Sequence, residues 1–390
     1  MQLSVIILNY NVRYFLELCV LSVQKALQEI DGEIIVVDNA SSDESCQMIK
    51  ERFPDIKLIE NKENTGFPKG NNIGVDQAKG KYICILNPDT IVAEDTFTKI
   101  LSRFDIISPF VVGGIGCKLI DGTGTFLPES KRGVPTPWVA FTKVAGLYKI
   151  FSKVKLFNKY YAQHIDMNQS GEVDILVGAF MVMKRDLYQK IGGFDENCFM
   201  YSDDIDLSYR ILQECLKNYY FHETSVVHFK GESTVRDKVY LNRFRDAMEY
   251  FYGKHFKKSW FFFAFMSVGS YIFSFLKMMK GKEKPKSIPD KILVITNQKE
   301  RFELIKRKTQ QKTEVVYVEN SIDNILKRTD RFHNIQLILD LGSISFKQAI
   351  QLMETGNNKN LSYRFLHPEL HYWLGSDDKD GRGEVSIFND

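Results

Sequence analysis

Four runs of Val, Ile and Leu punctuate the first 90 residues, and each ends at a polar cluster: Ser4 to Asn11 (SVIILNYN), Glu33 to Asn39 (EIIVVDN), Ile56 to Asn61 (IKLIEN) and Lys81 to Asp89 (KYICILNPD). Near-continuous apolar runs, rather than apolar/polar alternation, are what strands of a parallel sheet buried on both faces require. Helical stretches from Phe15 to Leu27 and from Ser45 to Phe53 separate them. This alternation predicts an open α/β sheet, whose strand carboxyl ends share one edge and commonly hold a ligand. Asn9, Asp38, Asn61 and Asp89 are expected to converge on that edge.

The pattern continues with a strand entering a helix over Val177 to Asp186, and with a helix opened by Asp203, Asp204 and Asp206 and ending near Leu216. Residues 121–132, with Gly122, Gly124 and Pro128, read as a mobile loop, and residues 134–169 as an acceptor subdomain. Ser259 to Leu276 holds 18 uncharged residues, a helix of about 27 Å, just short of a comfortable bilayer span. Lysines flank it on both sides, which gives no orientation but favours anionic lipid headgroups. A single crossing would part the two halves of the chain, so monotopic or re-entrant attachment is favoured. Beyond it, Lys291 to Thr296, Val315 to Val318, Ile335 to Asp340 and Leu361 to Leu366 read as four strands of a small parallel sheet. The predicted domains are residues 1–254, a hydrophobic segment with basic linker at 255–286, and a small α/β domain at 287–390.

At 390 residues and 44% hydrophobic, the chain can bury a large core and supply two or three domains. Its net charge of +3 is too small to indicate a nucleic-acid binder. The six cysteines show no CxxC pair or compact zinc spacing, and Cys84 sits in an apolar strand, which points to a reducing compartment. Met1-Gln-Leu-Ser-Val already reads as the first strand, so no signal peptide is expected and the bulk of the protein should be cytoplasmic.

The turn after the first strand, Asn9-Tyr-Asn-Val-Arg-Tyr-Phe, contains no glycine, which excludes the dinucleotide fingerprint. Asn87-Pro88-Asp89 offers another phosphate solution: Pro88 stiffens the turn and Asp89 presents oxygens to a hard divalent cation bound with a nucleoside diphosphate. In Asn61 to Gly74, glycines including Gly66 permit close backbone approach, while Asn64, Lys69, Asn71 and Asn72 supply donors and charge to a ligand loop leading into a helix from Asn71 to Ala78. Asp38 is placed to accept from a base N–H or a ribose hydroxyl. At Gly178 and Ala179 small residues let another group approach. Asp203 and Asp204 are adjacent like charges, which raises the pKa of one of them toward what a general base needs.

The ordered set Val5 to Asn11, Ile35 to Ser41, Glu63 to Phe67, Gly70 to Gly74 and Leu86 to Thr90 resembles the inverting family 2 glycosyltransferases, in particular the bacterial rhamnosyltransferase branch, over roughly residues 1 to 250. The resemblance implies a GT-A nucleotide-sugar-binding domain. It implies that Asp38 contacts the base, that Asn9, Asn11 and the Asn64 loop line the nucleotide pocket, and that Asp89 is the metal-binding end of the family's Asp-x-Asp motif, with Asn87 in place of its first carboxylate. A metal, Mg2+ or Mn2+, is then held by fewer charged protein ligands. Asp204 falls on the family's catalytic aspartate, with Asp203 in place of the preceding glutamate on the acceptor side. Ser225 to Thr234 resembles the family's His-x-x-Gly segment, so His228 would bind metal or phosphate and Lys230 would neutralise charge. Rhamnose from dTDP-rhamnose is the implied donor sugar, with UDP-galactofuranose and UDP-N-acetylglucosamine open, and the implied acceptor is a lipid-linked or cell-surface glycan at the cytoplasmic face of the membrane. The last domain resembles Rossmann-like modules attached to sugar-transfer enzymes, with regulatory, partner-binding or assembly use. Nucleotidylyltransfer and non-catalytic sugar binding are the alternatives.

Overall fold

A computed structural model describes residues 1–107, 111–144, 146–151, 154, 156–230, 238–256, 289–308, 314–318, 334–357, 361–369, 371–377 and 383–388. The amino-terminal strands are β1 (Leu3–Asn9), β2 (Gly32–Asp38), β3 (Lys57–Glu60), β4 (Tyr82–Leu86), β5 (Thr90–Ile91), β6 (Val112–Ile120), β7 (Gly171–Val173), β8 (Phe180–Lys184) and β9 (Lys217–His228). They form one sheet in the order β3-β2-β1-β4-β8-β6-β9-β5, with β7 also on β9. The first four are mutually parallel, while β8 runs antiparallel to both β4 and β6. Register explains why the polar clusters meet: Asn9 lies opposite Asp38, and Asp38 opposite Glu60.

Side chains alternate across each strand, so β1 feeds two cores. Leu3, Val5 and Ile7 join the core under helices Arg13–Ala26 and Thr96–Ile106. Ile6 and Leu8 join the opposite core, under helices Gly66–Asp76 and Asp203–Gln213. The helix at 66–76 corrects the expected ligand loop, because it begins at Gly66 rather than Asn71. Gly70 and Gly74 face the sheet. A Cβ on Gly70 would lie 2.4 Å from Leu8 Cδ1, and one on Gly74 would lie 2.5 Å from Ile6 Cγ2.

A second sheet holds β10 (Lys291–Ile295), β11 (Glu314–Val318), β12 (Ile335–Asp340), β13 (Leu361–Leu366), β14 (Tyr372–Ser376) and β15 (Glu384–Ile387), in the order β11-β10-β12-β13-β14-β15. The four expected strands are parallel, and the last two add antiparallel pairs that the apolar pattern did not flag. This sheet shares a core with the first: Val12, Phe15, Ile91, Val227 and Phe229 pack in one cluster with Leu337, Met353, Phe365 and Leu374. Across the same junction both carboxylate oxygens of Glu94 accept from the first backbone N–H groups of helix Phe346–Thr355, at 2.8 Å each, where the helix dipole favours negative charge. The segment from Ser259 to Leu276 lies outside the described residues. Among the described residues no helix is long and apolar enough to cross a membrane.

Candidate active site

At the ends of β1 and β2 a hydrogen-bonded polar cluster forms. Asn9 Nδ2 donates to Asp38 Oδ1 at 2.7 Å and to Ser41 Oγ at 3.0 Å, while Asp38 Oδ2 accepts from Ser41 N at 2.8 Å. Asn11, at φ 55°, accepts from Ser42 N through its side chain and donates its own N–H to Ser41. Next to it Asn39 is a hub that the sequence reading missed. Its Oδ1 accepts from Asn61 at 2.8 Å and from Thr65 at 3.0 Å, and its Nδ2 donates to Gly66 O at 3.1 Å and Asn64 Oδ1 at 3.3 Å. Asn64 also accepts from Gly66 N. Gly66 is at φ +83°, and a Cβ there would strike Phe199 at 2.8 Å, so this glycine serves a turn against protein. Asn71 is buried in its helix and donates to Phe67 O, and Lys69 is exposed.

The Asn87-Pro-Asp turn and the acidic pair are tied to consecutive residues at the entry to β8. Gly178 N donates to Asp204 Oδ2 at 3.1 Å, and Ala179 O accepts from Asn87 N at 3.0 Å. Gly178 and Ala179 thus brace both halves of the site. Because Thr90 pairs with His228 between β5 and β9, the Asn87-Pro-Asp turn is brought against that histidine. His228 Nε2 lies 3.3 Å from both Asp89 Oδ1 and Asn87 Nδ2.

Two further residues come from the segment expected to be a mobile loop. Residues 121–132 are fixed by turns within 121–125 and a short 3-10 helix at Pro128–Ser130. Arg132 Nη2 sits 2.5 Å from Asp204 Oδ2 and 2.7 Å from Leu176 O, and Glu129 forms an ion pair with Lys230. Lys230 is therefore neutralised by protein. Burial alone would raise the Glu129 carboxyl, but Lys230 outweighs it and holds the group below its usual value. Four of the seven non-glycine residues at positive φ among those described, Asn11, Ala40, Tyr201 and Lys230, lie in these site segments, the kind of backbone strain that concentrates at functional sites.

Asp203 is pushed up to about 7, first by burial and then by the neighbouring Asp204 charge, with Arg132 partly opposing. Asp204 keeps its partners on Oδ2, and no described residue hydrogen-bonds Oδ1. This divides the pair: one carboxylate is clamped with an oxygen open, and its neighbour titrates near neutrality.

The residues suit a divalent cation with a diphosphate. Among the described residues, Asn87 Oδ1 and His228 Nδ1 are buried polar atoms with no hydrogen-bond partner, and Asp89 Oδ1 has the His228 imidazole at 3.3 Å, in a site offering a carboxylate and an imidazole. A cluster of His367, Glu369 and His371 has metal-like spacing, but Arg52 occupies it, with Nη1 2.9 Å from His371 Nδ1 and Nη2 2.6 Å from Glu369. A fixed guanidinium there opposes a second cation.

Comparison with known proteins gives the class. Residues 4–192 match the family described as "Glycosyl transferase family 2". The chain carries a glycosyltransferase family 2 domain. Over 216 residues it is 24% identical to the N-acetylglucosaminyl-diphospho-decaprenol L-rhamnosyltransferase of Mycobacterium tuberculosis, covering 52% of this chain and 68% of that one. It is 26% identical over 224 residues to the low-salt glycan biosynthesis hexosyltransferase Agl10 of Haloferax volcanii, covering 55% and 62%. Among solved structures it is similar to a mannosyltransferase from Pyrobaculum calidifontis in complex with GDP-Man and Mn2+, with a TM-score of 0.46, 18% identity, and coverage of 70% and 69%. The glycosyltransferase class replaces the nucleotidylyltransferase alternative.

Proposed function

We infer that the enzyme transfers a sugar, rhamnose first among the candidates, from a nucleotide-diphosphate donor to a hydroxyl of a lipid-linked or cell-surface glycan, with inversion. The observation that carries this reading is the joint brace at Gly178 and Ala179, which holds Asp204 and the Asn87-Pro-Asp turn side by side. In-line displacement needs a base on the acceptor side and charge stabilisation on the leaving-group side. Asp204, with Oδ2 fixed by Arg132 and Gly178, would accept the acceptor's proton at Oδ1. Asp89 and His228 would hold Mg2+ or Mn2+, which when bound offsets the charge of the departing diphosphate. The polar cluster of Asn9, Asp38, Asn39 and Asn64 fits the nucleoside end. The name of the mycobacterial relative, which carries a diphospho-decaprenol and a rhamnose, supports the acceptor and sugar and, with them, a place at the cytoplasmic face of the membrane.

The domain at 287–390 shares its core with the catalytic domain, which suits a bracing or assembly role more than a tethered module. The test is a donor panel of dTDP-rhamnose, UDP-galactofuranose and UDP-N-acetylglucosamine with a lipid-diphosphate glycan, reading the anomeric configuration of the product. Transfer with inverted configuration from one donor is expected. Retention of configuration, or no transfer and no donor binding, would sink the reading.

A further inference from the structure

Residues between Glu129 and Asp166 include seven lysines and arginines and no aspartate or glutamate. The same stretch concentrates exposed apolar side chains. Of twelve large hydrophobic residues exposed among those described, Trp138, Ile150, Phe151, Val154 and Leu156 fall between 138 and 156, with Ile150 72% exposed and Leu156 54% exposed. Clustering of this kind marks an interaction surface, whereas single exposed hydrophobics need no explanation.

The patch is anchored, not loose. Helix Pro137–Val144 buries Val139 and Thr142 and leaves Trp138 outward, with its indole N–H donating to Leu156 O at 3.0 Å. Phe157 packs between Trp138 and Phe151, at ring-centroid distances of 5.9 and 5.2 Å. Lys143 lies 3.7 Å from the centre of the Tyr160 ring. The stretch is fastened to the acid-base pair at its start, where Arg132 binds Asp204 and Gly133 N donates to Lys159 O. Phe256, which leads into the hydrophobic segment from Ser259, packs in the same small core as Val134. Phe256 is thus held close to the start of the apolar stretch at 134.

We propose that the patch formed by Trp138, Ile150, Phe151, Val154 and Leu156 docks on an anionic lipid bilayer and presents the acceptor side of the active site to the membrane surface. Outward aromatic and aliphatic tips in a stretch of chain that carries lysines and no acidic residue of its own are the signature of interfacial binding. A protein partner would need acidic complementarity of its own, and a second copy of this chain would bring like charge against like. The proposal deepens the lipid-linked acceptor reading and rests on it for its purpose; its test reads lipid binding without transfer, so either can fail alone.

The full chain has three tryptophans, so Trp260→Phe with Trp373→Phe leaves Trp138 as the sole reporter. With vesicles of phosphatidylcholine plus phosphatidylglycerol, Trp138 emission should shift to the blue and be quenched by brominated acyl chains, and both effects should fade at high salt. Ile150→Glu with Leu156→Glu should lower vesicle partitioning by roughly tenfold or more. Membrane-bound protein with unquenched Trp138 would assign binding to another segment and overturn the proposal. So would absence of binding to anionic vesicles, or lipid-free self-association that the same double variant abolishes.

Discussion

Asp203 and Asp204 differ by one position and by everything around them. Arg132 and the Gly178 N–H stabilise charge on Asp204, while burial and that same charge push Asp203 up to about 7. Loss of the Asp203 proton near 7 places a second negative charge beside the proposed base, so transfer should rise with pH through about 7. Asp203→Asn should flatten that limb in a pH-rate profile, and an unchanged limb would place the titration elsewhere. The sign for stability follows from linkage. A carboxyl raised from 3.8 to about 7 in the folded chain favours folding below the lower value, and that contribution is lost as pH rises through the upper one. Thermal denaturation should therefore show Asp203→Asn gaining on wild type between about pH 4 and pH 7 and holding that gain above it. Asp89→Ala removes the proposed ligand oxygen and should weaken donor affinity and Mn2+ response together. Titration calorimetry with a nucleoside diphosphate, with and without Mn2+, would show it.

Helix Gly66–Asp76 shows why some of this was legible in the sequence and some not. The buried strands announced themselves as unbroken apolar runs, and their polar ends did meet, because parallel register puts Asn9 opposite Asp38. The glycines were harder. Gly70 and Gly74 recur at i and i+4, a spacing equally suited to a phosphate loop and to close helix–sheet packing, and only the tertiary contact with Ile6 and Leu8 decides. Glu129 and Arg132 were invisible for a related reason: Arg132 meets Asp204 across 72 positions of chain, and a glycine- and proline-bearing stretch carries no periodicity to flag it. Gly74→Ala should destabilise by about 1–3 kcal/mol, because the new Cβ would meet stiff β-branched Ile6 and Val37 and overpack the core. Gly253 is the control. It lies in helix Lys238–His255, and a Cβ there would meet nothing within 4 Å, so Gly253→Ala should stabilise by up to about 1 kcal/mol. Urea denaturation of the two variants separates packing from helix propensity.

At the scale of the whole molecule, the shared core makes the second sheet part of the frame that holds the site. Phe229, next to His228, packs against Phe15 at 5.2 Å and Phe365 at 5.8 Å, so the end of the strand carrying His228 is wedged between the two sheets' helices and strands. Unfolding should be a single calorimetric transition for the full chain, and two resolved transitions would show that the domains stand apart. The central claim is that this frame brings a base at Asp204 against a donor held at Asp89 and His228. Single-turnover transfer and donor affinity measured side by side for Asp204→Asn test it most directly. Transfer is predicted to fall by roughly 10²-fold or more with donor affinity within about twofold of wild type. Near-wild-type transfer by Asp204→Asn with an authentic acceptor, or loss of donor binding in its place, would contradict the account.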